Sequence, residues 1–131
     1  MVVDTSAIVA ILAREPEGSH FRELISLLPP AVMSAGSYLE ARIVAEGRRG
    51  TAGAGDLRLL LASLSVTVLP FDEEQAMIAA EAYARYGRGR HPANLNFGDC
   101  FAYALSRTTG EPLLFKGDDF AQTDVVPVTH P

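Results

Sequence analysis

Four carboxylates in this 131-residue chain stand where one secondary-structure element gives way to the next. Asp4 closes the apolar run Met1-Val2-Val3, Glu40 and Asp99 fall in the first turns of expected helices, and Asp118 follows Leu113-Leu114-Phe115. Each has an ordinary structural account on its own: an N-cap for Asp4, a capping box with Ser37 for Glu40, and helix-dipole complementarity for Asp99. Gathered in one crevice, the four would repel one another and hold their protons more tightly. A hard, oxygen-seeking cation such as Mg2+ or Mn2+ relieves that conflict, because carboxylates and water are the ligands it prefers. No His or Cys accompanies them, which argues against zinc and for a site that handles phosphate.

Whether the four meet depends on the elements that carry them. Met1 to Val3 shows no polar alternation, the pattern of a strand buried on both faces of a parallel sheet. Short apolar runs recur at Ala31–Ser34, Val66–Leu69 and Leu113–Phe115, with a weak fifth at Val125–Val128 that Pro127 confines to a sheet edge. Between them the spacing predicts helices over Ala7–Arg14, with Thr5 and Ser6 as caps, over His20–Leu28, from Ser37 to about Arg49, and over Asp56–Leu64. Two more follow, one opened by a capping box at Asp72–Gln75 and one capped by Asn96. Gly50–Gly55 reads as a flexible connection, and Gly87–Asn96 as an exposed basic loop.

Strands alternating with helices imply an α/β fold: a central parallel sheet of four to five strands with helices on both faces, a three-layer α/β/α sandwich. In such a sheet the carboxyl ends of the strands and the N-termini of the following helices share one edge, so all four acids can reach one crevice.

The length suits one domain spanning residues 1–131 and leaves no room for a second. No apolar run reaches the roughly 20 residues a membrane span needs. No secretory signal is recognisable, so the expected location is cytoplasmic. The single cysteine, Cys100, forbids an internal disulfide and reads as a small core residue. A net charge of −5 disfavours simple electrostatic attraction to nucleic acid. The basic residues are nevertheless grouped, Arg42, Arg48 and Arg49 on one segment and Arg85, Arg88 and Arg90 on another, and cations held by the acids would free those arginines to face a polyanion.

The segments V-V-D-T-S-A from Val2, S-x-L-E-A-R-I-V around Glu40, N-F-G-D-C-F-A-Y-A-L around Asp99 and L-L-F-K-G-D-D-F at Asp118 closely resemble the PIN-domain ribonucleases of the VapC toxin type. The resemblance covers essentially the whole chain in the right order. It implies a PIN-like fold, Mg2+ or Mn2+ dependence, endonucleolytic cleavage of RNA, a homodimer, and neutralisation by a VapB-like antitoxin that covers the site. On this match Asp4, Glu40, Asp99 and Asp118 carry over as the acidic quartet, with Thr5 or Ser6 as an accessory ligand. Asp119 competes with Asp118 for the fourth place, and the glycine directly before Asp118 favours the latter. Arg88, Arg90 and His91 are the candidates to hold the RNA backbone.

Two other readings stand beside this one. A haloacid-dehalogenase-like phosphatase would also place a nucleophilic Asp after its first strand, but the second Asp it needs two residues on is here Ser6. A PIN-like module that binds a protein partner without catalysis would not need all four acids.

Overall fold

Val2 and Val3 have no exposed surface, and the strand they form pairs with a neighbour on each side, as a central strand must. The computed structural model describes residues 1–130. In order, its elements are β1 (Val2–Val3), α1 (Thr5–Leu12), α2 (Gly18–Leu27), β2 (Ala31–Ser34), α3 (Ala35–Arg49), α4 (Thr51–Ser63), β3 (Val66–Leu69), α5 (Glu73–Tyr86), α6 (Asp99–Thr109) and β4 (Leu113–Leu114), with a 3-10 turn at Phe120–Gln122. All strand pairs are parallel and the sheet order is β3-β2-β1-β4. The chain therefore steps outward from β1 to β2 and β3, then returns to the other side of β1. That reversal opens a crevice beyond the carboxyl ends of β1 and β4.

The pleat sorts the core. Register partners Val2 and Leu113 face one layer with Ala82, Tyr86, Ala102 and Leu105 of α5 and α6. Val3 and Leu114 face the other, with Ile8, Leu24, Ile25 and Leu57 of α1, α2 and α4. Each such aliphatic side chain contributes about 1.5–3 kcal/mol by leaving water. The three-layer α/β/α sandwich and the expected element order are both present. Among the described residues, no helix is long and apolar enough to cross a membrane.

Four local expectations are corrected. The fifth strand reduces to a single bridge, Leu113 to Pro127, made by Leu113 N–H donating to Val126 O and Val128 N–H donating to Leu113 O. Ser37 does not cap α3; the helix starts earlier, and Ser34 Oγ accepts from Gly36 N–H at 3.2 Å. Thr5 and Ser6 do not cap α1; Asp4 does, accepting from Ser6 N–H at 3.0 Å. The Gly50–Gly55 stretch is not a loop beyond its first residue, because α4 begins at Thr51.

Packing against α3 explains that last difference. A Cβ on Gly53 would lie 2.1 Å from the carbonyl oxygen of Ala45, so glycine lets the two helix backbones touch. Gly55, two residues on, would meet nothing within 4 Å. Substituting alanine at the two positions therefore acts in opposite directions. Gly53→Ala should lose about 1–3 kcal/mol to overpacking. Gly55→Ala should gain roughly 0.5–1 kcal/mol by removing backbone freedom from a helix interior. Urea denaturation of both variants checks this, and two changes of the same sign would contradict the packing.

Candidate active site

Asp4 leaves β1 in extended conformation and caps α1, so its carboxylate is held at the carboxyl end of the central strand. Its Oδ2 accepts twice from Ser6, from the backbone N–H at 3.0 Å and from Oγ at 2.6 Å. The same Ser6 hydroxyl accepts from Lys116 N–H at 3.0 Å, which joins the end of β1 to the loop after β4. Asp4 Oδ1 is buried with no hydrogen-bond partner. Burial chiefly, with Glu40 adding repulsion, raises the Asp4 carboxyl to about 6 against the pull of the Ser6 bonds.

Asp99 comes from the turn that starts α6. Asn96 Oδ1 accepts from Asp99 N–H and Asp99 Oδ2 accepts from Asn96 N–H, both at 2.9 Å. This reciprocal pair has the form of a capping box across the turn that leads into α6, whose N-cap residue is Gly98 rather than the expected Asn96. Burial is again the main cause lifting Asp99, to about 7, with Asp4, Asp119 and Glu40 each adding repulsion. Three acids from separate segments thus act on one carboxyl.

Glu40 sits one turn inside α3, and its carboxylate lies against the α6 turn: a Cβ on Gly98 would be 2.1 Å from Glu40 Oε2. A side chain at 98 would displace the Glu40 carboxylate from where it lies. Asp118 and Asp119 are both exposed, on the loop that follows the positive-φ residue Gly117. Asp119 precedes Phe120, whose ring is buried and packs on Phe115 at 5.2 Å, so its position is the better anchored of the two.

Among the described residues, no three His, Cys, Asp or Glu side chains stand close enough to hold an ion as they are. The residues nonetheless fit a hard divalent cation in kind. They are all oxygen donors, Asp4 Oδ1 has unspent acceptor capacity, and two carboxyls are held above the usual range by burial and by neighbouring acids.

The accessory candidates divide. Thr5 Oγ1 donates to Ser37 O at 3.0 Å inside the core, so its hydroxyl hydrogen is already used. Ser6 is committed to Asp4 and Lys116. Ser37, read from the sequence as a cap, is instead fully buried with its Oγ unpartnered. Arg88 and Arg90 are exposed, and the Arg90 guanidinium lies 5.8 Å from the Tyr83 ring centre. His91 serves the fold: its Nδ1 accepts from Ala93 N–H at 3.0 Å and its ring meets Tyr86 edge-on. The basic loop is not wholly exposed either, since Ala93 and Leu95 are buried and Leu95 bonds to Tyr86 and Arg88. Lys116, the only lysine, is taken up by ion pairs with Glu15 and Glu17. Cys100 is buried and its thiol is pushed up to about 11, mainly by desolvation, which makes it inert.

The sequence model of the PIN domain matches residues 1–126. A protein of Mycolicibacterium smegmatis named Ribonuclease VapC is 50% identical over 128 residues, covering 98% of this chain and 99% of its own. The crystal structure of Mycobacterium tuberculosis VapC20, described as a Sarcin-Ricin loop cleaving toxin, superposes with a TM-score of 0.77 at 23% identity, covering 97% of both chains. VapBC2 from Rickettsia felis, solved bound to a DNA fragment from its promoter, gives 0.74 at 12% identity, with 96% of this chain and 94% of that one covered. At those identities the two structures speak for the fold, and the half-identical relative carries the family. The crevice at the β1/β4 reversal is thus that of a chain belonging to the PIN-domain family, within its VapC ribonucleases.

Proposed function

We propose that this protein is a Mg2+- or Mn2+-dependent endoribonuclease, the toxin of a toxin–antitoxin pair, acting in the cytoplasm as one domain over its whole length. The observation that carries the reading is the raised pair Asp4 and Asp99, brought from two distant segments to one sheet edge with the charge of Glu40 reaching both. Asp4 and Asp99 would hold the cation, and Glu40 and Asp119 would hold a second or orient the attacking water. When bound, such an ion supplies a water acidified toward neutral pH and positive charge for the leaving oxygen. Asp4 is preset for its part by Ser6, which occupies Oδ2 and leaves Oδ1 unspent. Water attack at phosphorus with loss of the ribose 3′-oxygen leaves a 5′-phosphate and a 3′-hydroxyl, and no 2′-OH participates.

We place Asp119, rather than Asp118, as the fourth acid, because Asp119 is the one whose charge reaches Asp99. Arg88 and Arg90 remain the candidates for backbone contact, and His91, whose Nδ1 is used within the loop, would reach RNA only through Nε2–H. The family resemblance supports a homodimer and a VapB-like antitoxin that covers the crevice. Neither the phosphatase nor the inert binding module is favoured, the first for want of its second Asp and the second because the acids converge.

Cleavage of single-stranded RNA by the purified protein should need Mg2+ or Mn2+, stop with EDTA, and fall at least about 100-fold in Asp99→Asn, on the scale expected for losing an electrostatic stabiliser. Cleavage that survives EDTA or the substitution would sink the metal mechanism. Asp119→Asn should fall comparably while Asp118→Asn stays within about threefold; the reverse ranking would return the fourth place to Asp118.

The raised acids also set a pH dependence. Their folded values lie above the 3.8 of an ordinary aspartate, so folding costs nothing extra below about pH 4 and progressively more as pH climbs through 6 and 7. In EDTA, Asp99→Asn should therefore be more stable than wild type at pH 8, by on the order of 2 kcal/mol, and equal to it at pH 4. Millimolar Mg2+ at pH 8 should raise the melting temperature of wild type and not of the variant. A stability difference independent of pH would show that the Asp99 carboxyl is not raised on folding.

A further inference from the structure

Phe97 is 77% exposed, the most exposed of the large apolar side chains, and it lies inside the turn whose two ends are clamped by Asn96 and Asp99. Nothing in folding asks for an aromatic ring there. Yet the ring is held in place. Its edge-to-face contact with Phe101, centroids 5.1 Å apart at 82°, continues to Phe71 at 4.7 Å and 77°. Phe101 in turn fills the space over Gly36, where a Cβ would be 2.2 Å from its ring, at the start of the helix that brings Glu40. The neighbouring residue Gly98 carries the Glu40 carboxylate. An aromatic ladder therefore fixes Phe97 beside two of the site acids and leaves most of its surface to solvent.

Resting on the endoribonuclease reading, we infer that Phe97 is a stacking platform for an unpaired base next to the cleaved phosphodiester, and so helps decide which RNA is cut. A net charge of −5 gives counterion release little to work with, and the only lysine is spent on Glu15 and Glu17. Stacking supplies affinity without positive charge, and a ring already held by its neighbours loses little freedom on binding. Bases in a duplex are stacked on each other and cannot use the platform. The site then favours single-stranded segments and loops.

The chain has no tryptophan, so Phe97→Trp installs a single fluorescent reporter at the platform. In a Glu40→Gln background that suppresses cleavage, a short single-stranded oligoribonucleotide should quench that fluorescence, and the matching duplex should not. Phe97→Ala should weaken binding of the same oligonucleotide by about 5- to 100-fold, the range base–aromatic stacking spans, with Phe97→Trp restoring it. The loss should be the same at 50 and 200 mM salt, whereas the effect of Arg88→Ala should shrink as salt rises. Unchanged RNA affinity in Phe97→Ala, unquenched tryptophan, or a change in oligomeric mass by sedimentation without a change in RNA affinity would each overturn the inference, the last by assigning the ring to a contact between copies. A wild-type protein that cleaves RNA while Phe97→Ala binds normally would fail this inference alone. A wild type that cleaves no RNA in Mg2+ or Mn2+ would fail the reading beneath it.

Discussion

The junction between β1 and α1 carries two demands on one side chain. A helix that starts directly at the end of a buried strand needs an acceptor for its first N–H groups, and Asp4 supplies it with Oδ2. A site for a cation needs a carboxylate in the crevice, and the same burial that makes the cap effective leaves Oδ1 without a partner. Ser6 reconciles the two. Its hydroxyl donates to Asp4 and accepts from Lys116 N–H, so the rotamer of Asp4 and the path of the chain after β4 are set together. Much of the crevice follows from that: β1 lies between β2 and β4, and the acids arrive from segments that the parallel pairing aligns.

The legible part of the fold was the part written in buried runs. Val2-Val3, Ala31–Ser34, Val66–Leu69 and Leu113-Leu114 are short, apolar and separated by helical spacing, and a parallel sheet is the arrangement that buries such runs on both faces. Their order alone placed Asp4, Glu40 and Asp99 on one edge. Local chemistry was less readable where two accounts fitted the same residues. Ser37 and Glu40 have capping-box spacing, yet Ser34 also can cap, and the chain takes the earlier start because Ser34 ends β2 and bonds Gly36 at once. The true reciprocal pair, Asn96 with Asp99, follows the same logic with residues less often thought of as a box.

The glycines misled for a physical reason. From the sequence, Gly53 and Gly55 together look like punctuation, because glycine weakens an isolated helix. In the structure, Gly53 is where α4 touches the backbone of α3, a tertiary requirement that no local pattern records. The choice between Asp118 and Asp119 has no local pattern to decide it, for a related reason. Asp118 and Asp119 differ by one position on an irregular loop, where there is no periodicity to say which way each points, and only the burial of Phe120 distinguishes their anchoring. Gly98 gave no signal either, since its importance lies in the Glu40 carboxylate that rests on it.

The arrangement leaves a chain whose gathered acids oppose its own folding. Desolvation chiefly, with Glu40 acting on Asp4 and with Asp4, Asp119 and Glu40 acting on Asp99, holds both carboxyls above the usual aspartate range, and at neutral pH the protein bears part of that cost in its folded state. Two apolar layers built on Val2 with Leu113 and on Val3 with Leu114 offset it, as does the capping that Asp4 itself provides. Replacing the acids by neutral isosteres would relieve the repulsion and remove the reason for the crevice in the same stroke. Several acids on converging segments, where one would serve as a cap, therefore leave the folded state a cost that a bound ligand of opposite charge would return.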